Sequence, residues 1–300
     1  MEEDGNRKLG FWAKAILLTL LMVAAFIIST LKKTPEVKTP EIFFLDVGQG
    51  DSELIQEGDF QILIDGGPDD KVLSELGEVM PLWDRKIDII ILTHPHSDHI
   101  SGINSILDRY EIGQVYSTGV LDTTSQYLSF LNKMKDKNIP LSVPAIGQSI
   151  TPFPDGELTF LWPGDQFVKK TISNLNNSSE IVKFCVQDKC ALFLGDAEQE
   201  EQDAMLQYYQ DKNITSQLQA EILKVAHHGS RNGADENLLK SVSPKEAVIE
   251  VGKDNKFGHP HEEEINLLEK YKVKCYRTDQ SGRVHFAFDS KISDFVIMGQ

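Results

Sequence analysis

The chain has 300 residues, of which 40% are hydrophobic and 25% charged, the balance of a globular protein able to bury a sizeable core in one large α/β domain or two small ones. Its formal net charge is −16. Residues 1–40 hold six basic and four acidic side chains, or +2, so residues 41–300 carry −18, which argues against a broad basic face for duplex DNA.

Residues 1–10 form a polar tail of mixed charge. Residues 11–31 follow, 21 positions whose only charge is Lys14; at about 1.5 Å per residue they reach about 30 Å, one membrane crossing. Lys14 lies near the start, where it can snorkel to the interface. Arg7 and Lys8 also resemble the charged start of a cleaved signal peptide, but no small-x-small site follows and the run ends in Leu31-Lys32-Lys33. An uncleaved anchor is therefore expected. Residues 32–40, with Pro35 and Pro40, read as an extended linker, and residues 41–300 as the folded domain.

Glu41 to Leu45 reads as a strand, and Asp46 to Asp51 as a glycine-punctuated turn. Ser52–Gln56 and Phe60–Ile64 form a hairpin closed by Glu57-Gly58-Asp59, ending at Asp65-Gly66-Gly67. Asp65 reads as a brace beside a metal site, and Asp46 and Asp51 as structural turn residues. Val72 to Val79 is a candidate helix. After Ile87 and Asp88, Ile89 to Leu92 gives four consecutive apolar residues, a run that fits a strand buried on both faces.

That strand ends in Thr93-His94-Pro95-His96-Ser97-Asp98-His99, three imidazoles and a carboxylate within six residues. Imidazole nitrogen and carboxylate oxygen are the ligands that borderline dications accept. At a strand mouth His94 and His96 can point one way while Asp98 and His99 open the next helix. The four could then serve two ions about 3.5–4 Å apart. A polar turn with Asp98 as a helix cap is the simpler alternative.

Ile100 to Tyr110 reads as a helix, Gln114 to Ser117 as a strand and Ser125 to Lys137 as a helix. Pro140 to Pro154 reads as irregular and Leu158 to Trp162 as a strand. This alternation indicates α/β architecture. Ile181–Val186 and Ala191–Leu194 form a hairpin that sets Cys185 opposite Cys190, either bonded or as two free core thiols. The return strand delivers Gly195-Asp196, where Asp196 suits a bridging ligand and glycine leaves room for metals. Helix Glu198 to Tyr209 follows.

Leu223 to Ala226 presents His227-His228. Neighbours on a strand face opposite ways, so His228 is expected at the metal and His227 at substrate phosphate or beside the ligands. Glu246 to Val251 reads as a strand, Gly258 to His261 as the approach to helix Glu262–Tyr271, and Lys274–Arg277 with Val284–Phe288 as a terminal hairpin. His261 and His285 read as structural.

His94-x-His96-x-Asp98-His99 resembles the signature of the metallo-β-lactamase-fold hydrolases. With residues 46–52, 65–67, Gly195-Asp196, 227–230, 258–260 and 278–282, the chain is similar to the extracytoplasmic domain of ComEC-type DNA-uptake (competence) proteins, over about Glu41 to Phe288. The resemblance implies an α/β fold, a four-layer αββα sandwich, preceded by one transmembrane helix that leaves the domain outside the cell. It implies two divalent ions, Zn or Mn, held by His94, His96, Asp98, His99, Asp196 and His228. Asp98, His227 and His259, the last matching the family's late histidine, are the expected catalytic groups. It also implies a phosphodiesterase or nuclease acting on DNA, single strands above all, with a separate channel protein as partner. A phosphodiesterase on an envelope polymer such as phosphorylcholine-teichoic acid, or a non-catalytic uptake accessory, are the alternatives.

Many hydrolases of this group carry a further histidine between the first cluster and the bridging Asp. None occurs here from Ile100 to Val225. The site built on His94 and His96 is therefore short of a ligand, and Asn176, Asn177 or water is expected to fill the gap.

Overall fold

The computed structural model describes residues 14, 16–23, 38–81 and 83–298. Lys14 and residues 16–23 are helical and exposed. The rest of the expected anchor over 11–31, the tail 1–10 and most of the linker lie outside the described residues. Among the described residues, no helix is long and apolar enough to cross a membrane. Met1–Lys38 and Thr39–Gln300 are two separate compact units.

Within residues 39–300 the chain first builds β1 (Glu41–Phe44), the hairpin β2 (Glu53–Glu57) and β3 (Phe60–Ile64), and helix α1 (Lys71–Val79). Then come β4 (Lys86–Leu92), α2 (Ser97–Arg109), β5 (Glu111–Ser117), α3 (Ser125–Asp136) and β6 (Leu141–Ser142). The second half gives β7 (Ser149–Phe153), β8 (Gly156–Trp162), β9 (Ile181–Val186), β10 (Lys189–Phe193), α4 (Gln199–Asp211) and β11 (Ile222–Lys224). It continues through α5 (Glu236–Val242), β12 (Glu246–Ile249), α6 (Glu262–Lys270), β13 (Lys274–Arg277), β14 (Val284–Asp289) and β15 (Asp294–Ile297).

The strands form an eight-stranded sheet in the order β15-β14-β1-β2-β3-β4-β5-β6 and a seven-stranded sheet in the order β13-β12-β11-β10-β9-β8-β7. Three apolar layers hold them. Ile62, Ile64, Ile89 and Ile91 of the first sheet meet Phe160, Phe184 and Phe193 of the second. Leu63, Ile90 and Leu92 turn the other way, onto Ile103, Leu107 and Phe130 of the first helices. Leu192 and Leu223 pack against Met205, Tyr209 and Leu238 of the later helices. Both sheets are thus apolar on both faces, which is why their strands read as continuous hydrophobic runs, and the layers stack as helix, sheet, sheet, helix.

The parallel strands β3, β4 and β5 of one sheet and β10 to β13 of the other bring the site together. Loops leaving the carboxyl ends of such strands line a common crevice. Asp65, His94, Asp196, His228 and Glu250 all lie just beyond those ends. Close packing supports the arrangement: a Cβ on Gly102 would sit 1.8 Å from the Gly66 carbonyl oxygen, so only glycine lets α2 lie against the loop after β3.

Two expectations fail here. Residues 140–154 are not irregular but contain β6 and β7, each at a sheet edge, where proline is tolerated because no ladder donor is needed. Pro152 lies where the β7 register shifts. Nor do the last strands form a hairpin. β13 pairs with β12 in the second sheet and β14 with β1 in the first, with the short helical turn Thr278–Ser281 between them. A final strand, β15, escaped the sequence pattern.

Candidate metal centre

Beyond β4, Thr93 donates through its backbone N–H (2.8 Å) and hydroxyl (2.6 Å) to the two oxygens of buried Asp65. Asp65 Oδ2 also takes His99 Nδ1–H at 2.7 Å, so this carboxylate is the brace expected, and it leaves His99 Nε2 facing the cleft. His94 Nδ1 lies 3.1 Å from the Thr93 hydroxyl. That hydroxyl spends its proton on Asp65, so Nδ1 is the donor and Nε2 carries the lone pair. His94 Nε2 in turn lies 3.0 Å from His96 Nδ1.

The second sheet closes the ring. Asp196 Oδ2 lies 3.2 Å from His99 Nε2 and 3.9 Å from His94 Nε2, and Oδ1 lies 3.9 Å from His228 Nε2. His228 Nε2 is 3.4 Å from Asp98 Oδ2. Ligand atoms of Asp98, His99, Asp196 and His228 all fall within 4.8 Å of one another. Gly195, at φ 53°, turns the chain after β10, and a Cβ there would press on Thr93 at 2.9 Å.

The strand-alternation reading of the histidine pair is also corrected. β11 stops at Lys224, and His227 and His228 follow on a left-handed turn with φ of 50° and 54°. The pair is divided by this turn. His228 is buried, its Nδ1 donating to the Glu250 carbonyl at 2.9 Å. His227 stays on the open side, 3.2 Å from Glu198 Oε1 and 4.0 Å from Asp196 Oδ2. His259 stands beside them, ring centroids 5.5 Å from His227 and 6.3 Å from His228, on a loop that Asn255 ties at both the His259 N–H and carbonyl.

All six residues expected at the metals therefore meet in one place, and His227 and His259 border it. His285 lies apart, paired with Glu41 at 3.0 Å and stacked on Phe43. His261 caps α6. Asp46 pairs with Lys71 at 2.9 Å.

Sequence reasoning missed a buried ionic layer behind His228. Asp51 pairs with Lys224 and lies 3.2 Å from His228 Nδ1. Glu250 accepts the Ser52 N–H at 3.1 Å. Burial, then the charge of Asp51, pushes the Glu250 carboxyl up to about 8, and burial with Glu250 raises Glu53 well above its ordinary value. The signal was present as a lysine in an otherwise apolar strand, but its partners are far away in the chain.

Charges at the centre are strongly biased. Burial would raise Asp196, yet His99 and His228 hold its carboxyl well below the usual range. Burial also works against a charge on His228, while Asp196 and Asp51 drive it up to about 10. Burial and then the charge of His99 keep His94 well below the usual imidazole range.

The donors suit a divalent cation. Asp196 Oδ1 and His99 Nε2 are fully buried yet make no hydrogen bond among the described residues. Such unpartnered lone pairs are costly unless they converge on a proton or a cation. Imidazole and carboxylate together fit Zn²⁺ or Mn²⁺.

Residues 45–252 match the Metallo-beta-lactamase superfamily. ComE operon protein 3 of Bacillus subtilis (strain 168) is 27% identical over 282 residues, covering 86% of this chain and 34% of that protein. Competence protein ComA of Neisseria gonorrhoeae is 24% identical over 272 residues, 89% of this chain and 35% of that protein. The chain thus spans about a third of the length of these relatives. In structure it resembles the metallo-beta-lactamase fold protein YhfI of Bacillus subtilis, with a TM-score of 0.53 at 17% identity, over 82% of this chain and 99% of that one.

Proposed function

The chain belongs to the metallo-beta-lactamase superfamily, and from that premise we propose that it is a membrane-anchored, extracytoplasmic, metal-dependent phosphodiesterase that cleaves DNA, single strands above all. The observation that carries this reading is the convergence of Asp98, His99, Asp196 and His228 within 4.8 Å, with His94 and His96 alongside. The likeness to competence protein ComA of Neisseria gonorrhoeae supports DNA as substrate. The apolar run at 11–31 supports an anchor, and the Cys185–Cys190 disulfide supports an oxidising compartment.

Cations held by His94, His96 and Asp196, and by Asp98, His99, His228 and Asp196, would supply Lewis acidity and a nucleophilic water at neutral pH. The chain's own groups divide the remaining work. Asp98 is 31% exposed at its side chain, which supports a role for this carboxylate in orienting the attacking water. His227 and His259 border the open side, where they can hydrogen-bond a non-bridging phosphoryl oxygen or give a proton to the leaving oxygen. Asp65, Thr93 and the Glu250 carbonyl keep the rings of His99 and His228 in one orientation.

Labelled single- and double-stranded DNA and bis-p-nitrophenyl phosphate, offered to the purified full chain with Mn²⁺ or Zn²⁺, test the proposal. Turnover should require metal, favour the single strand and fall at least about 100-fold in His96→Ala. A metal-loaded protein that binds DNA and cleaves none of these substrates would make it an uptake accessory.

A further inference from the structure

We infer that Asn176, through its side-chain oxygen Oδ1, is the ligand that completes the cation site of His94 and His96. This deepens the two-cation reading above and rests on it. Four observations place the oxygen. Asn176 Nδ2 donates to Glu198 Oε1 at 2.9 Å and lies 3.5 Å from the His227 ring, which fixes which end of the amide is oxygen. Oδ1 therefore faces away from Glu198. Among the described residues it makes no hydrogen bond, although the whole residue is only 6% exposed. Lastly, the Asn176 side chain lies against His96.

The local backbone holds this position. Asn176 lies within a tight turn, Leu175–Ser178, and its N–H is taken by Asn174 Oδ1 at 3.2 Å. Its carbonyl accepts the Ser179 hydroxyl at 2.8 Å, and that same oxygen of Ser179 lies 3.4 Å from His94 Nδ1. Asn176 and His94 are thus tied through one serine. Asn177, the other candidate, is spent elsewhere: its Oδ1 accepts the Glu198 N–H at 3.2 Å and its Nδ2 donates to Glu200 at 3.2 Å.

An amide oxygen is a harder and weaker donor than imidazole. Exchanging one for the other moves a site away from Zn²⁺ and towards Mn²⁺. The missing histidine is accordingly a substitution that sets metal preference, and the site remains complete.

Bound metal per chain, measured on the purified full chain by elemental analysis and by Mn²⁺ and Zn²⁺ titration, tests this without reference to turnover. The wild type should bind two ions. Asn176→Ala should weaken one of them at least about 10-fold for Mn²⁺ and leave the other, which His228→Ala removes. Asn176→Asp should restore the weakened ion, Asn176→His should raise its preference for Zn²⁺ over Mn²⁺, and Asn177→Ala should change neither. Asn176→Ala that melts like wild type without metal and binds both ions with wild-type affinity would overturn the assignment of Asn176 alone. Loss of metal binding in no variant, His94→Ala and His96→Ala included, would overturn the two-cation reading and this inference with it.

Discussion

Lys224 is the residue on which the interior charge balance turns. It is fully buried between Asp51 and the Gly195 carbonyl, the latter at 3.2 Å, and burial of its charge is outweighed by Asp51 together with Glu53, Asp196 and Glu250, so its pKa is raised rather than lowered. Removing one member of such a pair leaves an uncompensated charge in the core. Lys224→Ala should therefore cost about 3–5 kcal/mol in urea unfolding; a loss below about 1 kcal/mol would mean Asp51 is neutralised in another way. Glu264 gives a second residue-scale test, away from the metal centre. Its carboxyl accepts one backbone N–H, from Ala234 at 3.2 Å, and its other oxygen is buried without a partner among the described residues. Burial pushes its pKa from 4.5 up to about 8. The folded state thus keeps a proton that the unfolded chain releases near 4.5. The resulting stability is complete below pH 4.5, declines as pH rises and is lost above about 8. Glu264→Gln should flatten part of that decline, read as denaturation midpoints between pH 5 and 8.5 beside the wild type.

At the scale of elements, the β9–β10 hairpin shows how far local pattern reaches. A two-residue turn between two apolar runs put Cys185 opposite Cys190, and the register pairs those two residues, with the sulfurs bonded. What spacing left open was whether they bond, since facing thiols and a disulfide have the same sequence. The loop is short, a separation of 5 residues, so the bond restrains little of the unfolded chain and should contribute about 2 kcal/mol. The double change Cys185→Ser and Cys190→Ser tests this by equilibrium unfolding, and a stability equal to that of the wild type would show the bond to be absent or strain-balanced. The histidine turn after β11 shows the opposite case. Period-2 reasoning assigned His227 and His228 to opposite faces for the wrong reason, because β11 ends three residues earlier and both residues take positive φ. No local signal marks that turn. Gly229 follows, and Asp51 and the Glu250 carbonyl, from remote segments, hold the His228 ring.

For the whole molecule, charge sets how a polyanion reaches the cleft. With −18 on residues 41–300, long-range repulsion should oppose DNA even where the centre attracts a phosphodiester. Salt screens the repulsion. For single-stranded DNA, kcat/KM should then rise as sodium chloride goes from about 20 to about 150 mM, opposite in sign to the fall expected of a basic DNA-binding face. A steep fall would show that a basic groove guides the strand after all.

Residue order alone carried the α/β alternation, the apolar strands, the cluster from His94 to His99, and Asp196 and His228 as later members of the same site. These are readable because burial on both faces and ligand spacing leave marks within a few neighbouring positions. Tertiary structure alone decided that six groups from both sheets share one crevice, that Lys224 answers Asp51, that β13 and β14 part company, and which of two adjacent asparagines keeps a buried side-chain oxygen without a hydrogen bond among the described residues. Those facts depend on contacts between segments remote in the chain, and no local periodicity encodes which remote segment a side chain will meet.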